Sequence, residues 1–358
     1  MKLTYRDFLD IALGGTILGT GGGGSYETAQ HLANRVLRRK QVRLIPLGSV
    51  PDSAGVVAIA GMGSPEAMLR TPFTTEARNA FDSFTKESPV GPKYVIPLET
   101  SGFNFLTPMT VAASRSVSVI DADAAGRAIP MLNQTLFYAH GIPLAPMALA
   151  DARGRSIVIR SDEYALSEKV ALSALEYFGW SAGLACYPMR ARDAKRASVK
   201  GTISLAKEVG QTVRLATVAG EDPITSVLSV TGGWELVRGT VVRFETESVG
   251  SYKFGTLEIR GNGADSGKQV LVRSMNENMI AWKNGRLAAV APDRICFLNK
   301  DGRPTTNADL HPGDEIVAFV IEAQRPWRSK KAAGLFAGTL AAMGHRRPYV
   351  PAGKLLAT

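Results

Sequence analysis

A run of glycines near the start of the chain most constrains its fold: Leu18-Gly19-Thr20-Gly21-Gly22-Gly23-Gly24-Ser25. Because glycine has no Cβ atom, successive backbone N–H groups in such a run can turn toward one ligand without steric cost. The run also matches G-x-G-x-x-G, but that dinucleotide fingerprint requires a preceding strand. Phe8, Ile11 and Leu18 precede the run at helical spacing, which predicts helix, glycine loop, helix.

Ser25 is expected to cap the second helix, whose apolar face would be Ala29, Leu32, Ala33, Val36 and Leu37. A glycine loop at a helix N-terminus favours a carboxylate, a phosphate or an imide oxygen as ligand. A tight crossing of two helices is the alternative reading of the same pattern. The ligand-binding candidates of the loop are Gly19, Thr20, Gly21, Gly22, Gly23, Gly24 and Ser25.

The composition indicates a folded two-domain protein, with 358 residues and 45% hydrophobic residues. No apolar run approaches the roughly 20 residues that cross a bilayer, and the first residues lack the apolar core of a secretory signal. The two cysteines, Cys186 and Cys296, fit neither a disulfide framework nor a metal knuckle. We therefore expect a cytoplasmic protein without a membrane partner.

The formal net charge is +10, from 42 Lys and Arg against 32 Asp and Glu. The basic residues form separated clusters with few aromatic neighbours, and no nucleic-acid-binding motif accompanies them. This distribution predicts solvated surfaces and no nucleic-acid partner. The excess charge would attract anionic small molecules at most.

The first half of the chain alternates short apolar runs with helical segments. Strands are expected at residues 56–60, 94–98 and 117–120, and further strands at 142–147 and 156–160. A helix carrying Ala77, Ala80, Phe81 and Phe84 lies between the first two, and residues 108–116 fit a short helix. Another helix is expected with Ser161 as its cap and Asp162 and Glu163 in its first turn. This alternation of strands and helices predicts an α/β domain with a mostly parallel sheet.

After a helical segment at residues 201–218, the sequence pattern becomes typical of β-strands. Alternating or apolar runs are separated by turn signals such as Asn284-Gly285, and residues 315–321 follow a turn as a buried strand. The predicted organisation is an α/β domain over residues 1–220, a mainly β domain over 221–325, and a tail over 326–358 that returns to the first domain.

Polar, glycine-bearing segments follow each of the first three predicted strands. In an open parallel sheet the ligand crevice lies beyond the carboxyl ends of the strands. The pattern therefore predicts that Glu99, Asn104, Asp121, Asp123 and Arg127 surround one cleft, into which the glycine loop folds.

This residue set favours acid–base and electrostatic chemistry, since neighbouring carboxylates raise each other's pKa and an arginine can hold an anion bidentately. Asp121 and Asp123 also have the two-residue spacing of some Mg²⁺ ligands, although such pairs often only cap turns. His31, His140, His311 and His345 show no transition-metal spacing, and we expect no metal centre. Ser25 lacks a visible base, and both cysteines sit among apolar neighbours, so nucleophilic catalysis has little support.

Several long segments resemble the S-methyl-thiohydantoin desulfurase-like family, whose genes often lie near those of hydantoinases and oxoprolinases. They are the glycine run at 18–25, GMGSP at 61–65, Glu99-x-x-Gly102-x-Asn104, and DADAAGRAIP at 121–130. In the second half, NENMIAW at 276–282 and APDRI at 291–295 look like further signatures of that family. Met131 departs from the pattern, because an acidic residue is expected after Pro130.

The resemblance implies a three-layer α/β domain joined to a β-rich domain, and a role with hydantoin-like rings. It implies hydrolytic loss of a methylthio group from a thiohydantoin-like ring, a cyclic amide or imide. For that reaction the candidates are Asp121 or Asp123 as base, Glu99 as second acid–base group, and the loop amides with Asn104 as the cradle for negative charge. Arg127 would bind substrate or brace the carboxylates.

Two other classes stay open at the level of sequence. One is a non-catalytic subunit that works with a hydantoinase- or oxoprolinase-type enzyme. The other is a nucleotide- or phosphate-binding enzyme. The sequence leaves the cofactor unknown and leaves open whether the chain forms a homo-oligomer.

Overall fold

The structure, a computed structural model, describes residues 1–70, 73–161 and 163–357. It contains an α/β domain with one nine-stranded sheet and a second domain with one seven-stranded sheet. The strands of the first sheet are β1 (Lys2–Leu3), β2 (Val42–Pro46), β3 (Gly55–Gly63), β4 (Pro92–Pro97), β5 (Ser118–Asp123), β6 (Met147–Ala150), β7 (Ser156–Ile159), β8 (Ser181–Arg190) and β9 (Val199–Lys200). Those of the second are β10 (Trp234–Val249), β11 (Tyr252–Gly261), β12 (Gln269–Met275), β13 (Glu277–Lys283), β14 (Arg286–Val290), β15 (Arg294–Asn299) and β16 (Glu315–Ile321).

The helices of the first domain cover both faces of its sheet. They are α1 (Tyr5–Leu18), α2 (Tyr26–Leu32), α3 (Pro65–Arg70), α4 (Glu76–Glu87), α5 (Gly102–Ala112), α6 (Leu136–Ala139), α7 (Tyr164–Tyr177), α8 (Ala191–Ala197) and α9 (Thr202–Ala219). Further helices are α10 (Pro223–Thr231), α11 (Lys330–Ala333), α12 (Ala337–Ala342) and α13 (Ala352–Leu356). None of the described helices is both long and apolar enough to cross a bilayer.

The first sheet has the order β1-β2-β5-β4-β3-β8-β6-β7, with β9 beside β5. Strands β3, β4 and β5 run parallel, as the sequence predicts, and so does β2, a strand that the sequence analysis did not predict, whereas the flanking pairs are antiparallel. The sheet is therefore mixed. Alternate residues of β3 enter different cores, Val57 and Ile59 on one face and Val56 and Ala58 on the other. This confirms the two-domain α/β class and the three layers of its first domain.

Glycines allow α1 and α9 to cross closely. A Cβ atom on Gly14 would lie 1.8 Å from the carbonyl oxygen of Ala206, and one on Gly210 would lie 1.9 Å from that of Asp10. Both distances are far below van der Waals contact, so neither position tolerates a side chain. The helix at 201–218, expected from its apolar spacing, is thus part of the first domain's core.

Several boundaries differ from the sequence prediction. The helix expected at 108–116 begins at Gly102, because Ser101 caps it and Pro108 is accommodated inside it. The strand expected at 142–147 begins only at Met147. The cap position of α7 is Glu163, since the hydroxyl of Ser161 accepts the Glu163 N–H in a turn before the helix. Asp162 lies outside the described residues.

The second sheet is antiparallel, with the order β14-β13-β12-β11-β10-β16-β15. Strands β10 and β11 form a long hairpin that is paired as far as Val249 and Tyr252, and residues of its distal half line a cavity together with residues of the first domain. The C-terminal segment contacts both domains: the indole N–H of Trp327 donates to the carbonyl of Ala125 in the first, whereas Ala352 packs into the core of the second. Both features bring the two domains together around one cavity.

Candidate active site

A cavity of about 390 Å³ lies where the two domains meet. The first domain contributes the glycine loop, the ends of β3 and β4, residues 129–132 and one face of α7. The second contributes the distal β10–β11 hairpin, the start of β13 and residues 306–308. Its size lies within the roughly 300–1,000 Å³ that is typical of small-molecule sites.

Glu99 is a buried acid in the wall of this cavity. Its Oε1 accepts a hydrogen bond from Asn104 Nδ2 (2.6 Å), and its Oε2 accepts one from the Ile129 N–H (2.8 Å). Burial raises the pKa of Glu99 to about 7. The charge of Asp123 also raises this pKa, whereas the two hydrogen-bond donors and Arg127 lower it. Glu99 can therefore both accept and release a proton near neutral pH.

Asn104 holds the Glu99 carboxyl group in place. It lies in the first turn of α5, where its N–H donates to the Ser101 hydroxyl (3.0 Å). Its Oδ1 accepts from the Gly61 N–H (2.8 Å), so its Nδ2 must face Glu99. Asn104 thus lines the predicted cleft, and its contacts are those of a residue that orients the acid.

Glu277 is a second buried acid in the same cavity, at the start of β13. Its Oε2 has no hydrogen-bond partner among the described residues. Burial and the nearby charge of Glu99 raise the pKa of Glu277 well above its usual range, against the opposing effect of Arg127. Because the negative charges of two neighbouring carboxylates repel each other, the two groups do not ionise together easily. One can then act as a general acid while the other acts as a general base.

The glycine loop lies against both acids. A Cβ atom on Gly22 would be 2.2 Å from Glu277 Oε1, and one on Gly23 would be 3.1 Å from Glu99 Oε1. Gly23 and Gly24 have φ of 73° and 91°, which favour glycine. Their backbone N–H groups have no partner among the described residues. Gly21 and Ser25 also line the cavity, and Ser25 caps α2 by accepting the Thr28 N–H (3.2 Å).

Three of the predicted binding residues, Gly19, Thr20 and Arg127, do not line the cavity. Gly19 ends α1. The buried Arg127 guanidinium donates to Thr20 Oγ1 (3.3 Å) and to the carbonyl oxygens of Asn278 (2.7 Å) and Asp293 (2.9 Å). Burial lowers the pKa of Arg127 to about 10, partly offset by Glu277. Arg127 therefore braces Thr20 against the second domain, a role that differs from the substrate binding or carboxylate bracing expected for it.

Asp121 and Asp123 do not line the cavity. Asp121 Oδ1 accepts the N–H groups of Ile203 (3.1 Å) and Ser204 (3.0 Å), so this carboxylate caps α9. Asp123 is buried and accepts from the Thr100 hydroxyl and from the N–H groups of Ala125 and Gly126. Strand β5 continues through both residues because β9 pairs with it. The predicted cleft thus includes Glu99 and Asn104 but not these two aspartates.

No group of three or more His, Cys, Asp or Glu is placed to hold a metal within residues 1–70, 73–161 and 163–357. Cys186 and Cys296 are both buried, and burial raises the pKa of each thiol. Neither thiol lines the cavity.

Glu277, Asn276, Asn307 and Glu168 also line the cavity, and sequence reasoning did not propose them as site residues. The Asn307 N–H donates to the Gly21 carbonyl (2.8 Å), and Asn307 Nδ2 donates to the Asn276 carbonyl (2.9 Å). The NENMIAW segment was the available signal for the first two residues. Glu168 gave no signal, because a glutamate on an amphipathic helix usually faces solvent.

The fold and the site define first a class: a two-domain protein, one domain α/β and the other mainly β, with an acid-lined cavity between them. An X-ray structure of a protein from Chromobacterium violaceum shares the fold, with a TM-score of 0.84 over 98% of this chain and 100% of that chain, at 24% sequence identity. The S-Me-THD-like N-terminal domain matches residues 6–161, and the S-Me-THD-like C-terminal domain matches residues 161–352. The chain therefore belongs to the S-Me-THD-like family. No curated protein matches it.

Proposed function

We propose that this protein hydrolyses the methylthio group of an S-methyl-thiohydantoin-like ring in the cavity between its domains. Membership of the S-Me-THD-like family supports this substrate class. The observation that carries the chemistry is that two buried acids, Glu99 and Glu277, lie against one glycine loop in that cavity.

In the first step, ionised Glu99 takes a proton from water, and the resulting hydroxide adds to the ring carbon that carries the methylthio group. The π electrons of the C=N bond move to the ring nitrogen, which takes a proton from Glu277. The strongly raised pKa of Glu277 suits a proton donor, and the pKa of about 7 suits Glu99 as the base. The product of this step is a neutral tetrahedral adduct.

In the second step, the adduct's hydroxyl group returns its proton to Glu277 as the ring carbonyl forms. The C–S bond breaks, and the departing thiolate takes the proton held by Glu99. The products are a hydantoin-type ring and methanethiol, and both acids regain their starting states. The N–H groups of Gly23 and Gly24 are available to hold a ring oxygen as charge develops on it.

The test is release of methanethiol from an S-methyl-thiohydantoin, detected with a thiol reagent, in water enriched in ¹⁸O. We expect the label in the carbonyl of the hydantoin product. The Glu277→Gln variant should turn over at least about 100-fold more slowly. Glu176→Gln, which changes an exposed glutamate of α7, is the matched control and should match the parent. Equal turnover by Glu277→Gln and the parent, or no thiol release by the parent, would refute the proposal.

A further inference from the structure

The outer face of α7 carries a stripe of exposed apolar side chains. Leu166, Val170 and Tyr177 are 46%, 37% and 77% exposed, and Ser173 between them is exposed as well. Because these four residues follow one another at intervals of four, three and four, they form one line along the helix. Leu175 and the other buried residues of α7 lie on the opposite face. A surface helix normally presents polar residues to water, so this apolar stripe indicates a contact surface.

The edge of the first sheet extends this patch. Strand β7 is the last in its sheet, so its outer side has no partner strand in the described part of the chain. Ile157 of β7 is 37% exposed, and Ile159, on the same face of the strand, belongs to the same core as Leu175 of α7. The Arg155 guanidinium donates to the carbonyl oxygen of Tyr177 (3.3 Å), which places the start of β7 beside the end of α7. Ile157 therefore lies beside the stripe.

The spacing of the stripe is that of a seam between two helices. In a heptad written abcdefg, Leu166 and Ser173 take position d, and Val170 and Tyr177 take position a. If two copies of α7 pack antiparallel about a twofold axis, Leu166 of each copy meets Tyr177 of the other. Val170 and Ser173 then meet at the centre, where the small Ser173 side chain lets the helices approach closely. Such a contact is self-complementary, as a twofold interface requires.

The charges beside the stripe favour the antiparallel arrangement. Lys169 and Glu176 both take position g, so they flank the same side of the stripe. Both are exposed, and neither belongs to an ion pair within residues 1–70, 73–161 and 163–357. An antiparallel pair reverses the order of residues along one flank, so Lys169 of each copy meets Glu176 of the other. A parallel pair would instead bring like charges to the same level. The charges are thus complementary to a second copy of the same helix.

We propose that the protein forms a twofold-symmetric dimer through the outer face of α7 and the adjacent edge strand β7, with the two copies of α7 antiparallel. The inner face of α7 carries Leu172 and Leu175, which line the cavity, so the second copy covers the outer side of a helix that forms part of the cavity wall. Neither the stripe nor Lys169 and Glu176 line the cavity themselves. The dimer is therefore independent of the proposed reaction and is tested separately from it.

The experiment is sedimentation velocity of the full chain from about 1 to about 100 µM, where we expect the parent to form a dimer. Lys169→Glu brings two glutamates together at each end of the seam, and Glu176→Lys brings two lysines together. Each single variant should therefore raise the dissociation constant at least about tenfold. Val170→Lys, at the centre of the seam, should also weaken the dimer, because it buries a charge there. Val218→Lys is the matched control, since it changes an exposed valine of α9, and it should leave the dimer intact.

Rescue by opposite charges distinguishes the proposed pairing from a general loss of stability. An equimolar mixture of the Lys169→Glu and Glu176→Lys chains should form a heterodimer, because every facing pair is then a glutamate against a lysine. The double variant with both changes should recover the affinity of the parent. A parent that is monomeric at about 100 µM, or a dimer that the single variants do not weaken, would overturn the proposal. Single variants that weaken the dimer, with no rescue by mixing or by the double variant, would overturn the antiparallel pairing of α7.

Discussion

Strands β4 and β5 are parallel neighbours in the first sheet, and acidic residues lie at the carboxyl end of each. After β4, Glu99 faces a cavity, and its two donors leave burial as the dominant influence on its pKa. At the end of β5, backbone N–H groups of α9 and of the next turn donate to Asp121 and Asp123. Burial raises the pKa of Asp123 as well, to about 6. All three residues thus lie at a strand end, and what distinguishes Glu99 is that its carboxyl group lines the cavity, whereas the two aspartates cap backbone N–H groups outside it.

The comparison predicts its largest effect at Glu99. Replacing Glu99 by Gln keeps the shape but removes the base, so kcat should fall by roughly 10²- to 10⁴-fold. Steady-state thiol release checks this. An unchanged kcat would mean that the residue after β4 is no more catalytic than those at the end of β5.

The pKa of Glu99 also predicts how stability depends on pH. Since folding raises this pKa from 4.5 to about 7, the folded protein binds more protons than the unfolded chain between those values. The free energy of unfolding therefore falls as pH rises through this window, by about 3 kcal/mol from this group. Chemical denaturation at several pH values should show a smaller fall for Glu99→Gln than for the parent. Parallel profiles would show that Glu99 titrates normally.

The third prediction concerns the loop that lies beside the acids. Gly22→Ala places a methyl group 2.2 Å from the present position of Glu277 Oε1, so Glu277 must move. We expect kcat to fall roughly 10- to 100-fold, because a displacement of about 1 Å has such effects in active sites. Gly48→Ala is the matched control, since a Cβ atom there meets nothing within 4 Å. Equal losses in both variants would indicate a general effect on folding.

The smallest effect is expected at the end of β5. Asp121→Ala removes a cap from α9 and should lower the free energy of unfolding by about 1 kcal/mol. Thiol release by the folded variant should stay within about threefold of the parent, because Asp121 lies outside the cavity wall. A catalytic defect as large as that of Glu99→Gln would restore the sequence-based assignment of Asp121.

Local patterns in the sequence predicted much of the first domain. The spacing of Phe8 and Ile11 gave α1, and Ser25 gave the start of α2, because periodicity and capping act within a few residues. The place of Glu277 in the site could not be predicted from local patterns. Glu277 contacts the glycine loop, which lies more than 250 residues earlier in the chain, and only the packing of the two domains brings them together. The role of Asp121 as a cap likewise depends on where α9 begins, which lies about 80 residues later in the chain.

The most direct measurement is a crystal structure of the protein with a 5-substituted hydantoin bound. The proposed site predicts the ring between the glycine loop and the two acids, with a ring oxygen or nitrogen within hydrogen-bond distance of Glu99 and of the Gly23 N–H. A ring bound elsewhere, or one inside the cavity that touches neither Glu99 nor Glu277, would contradict it.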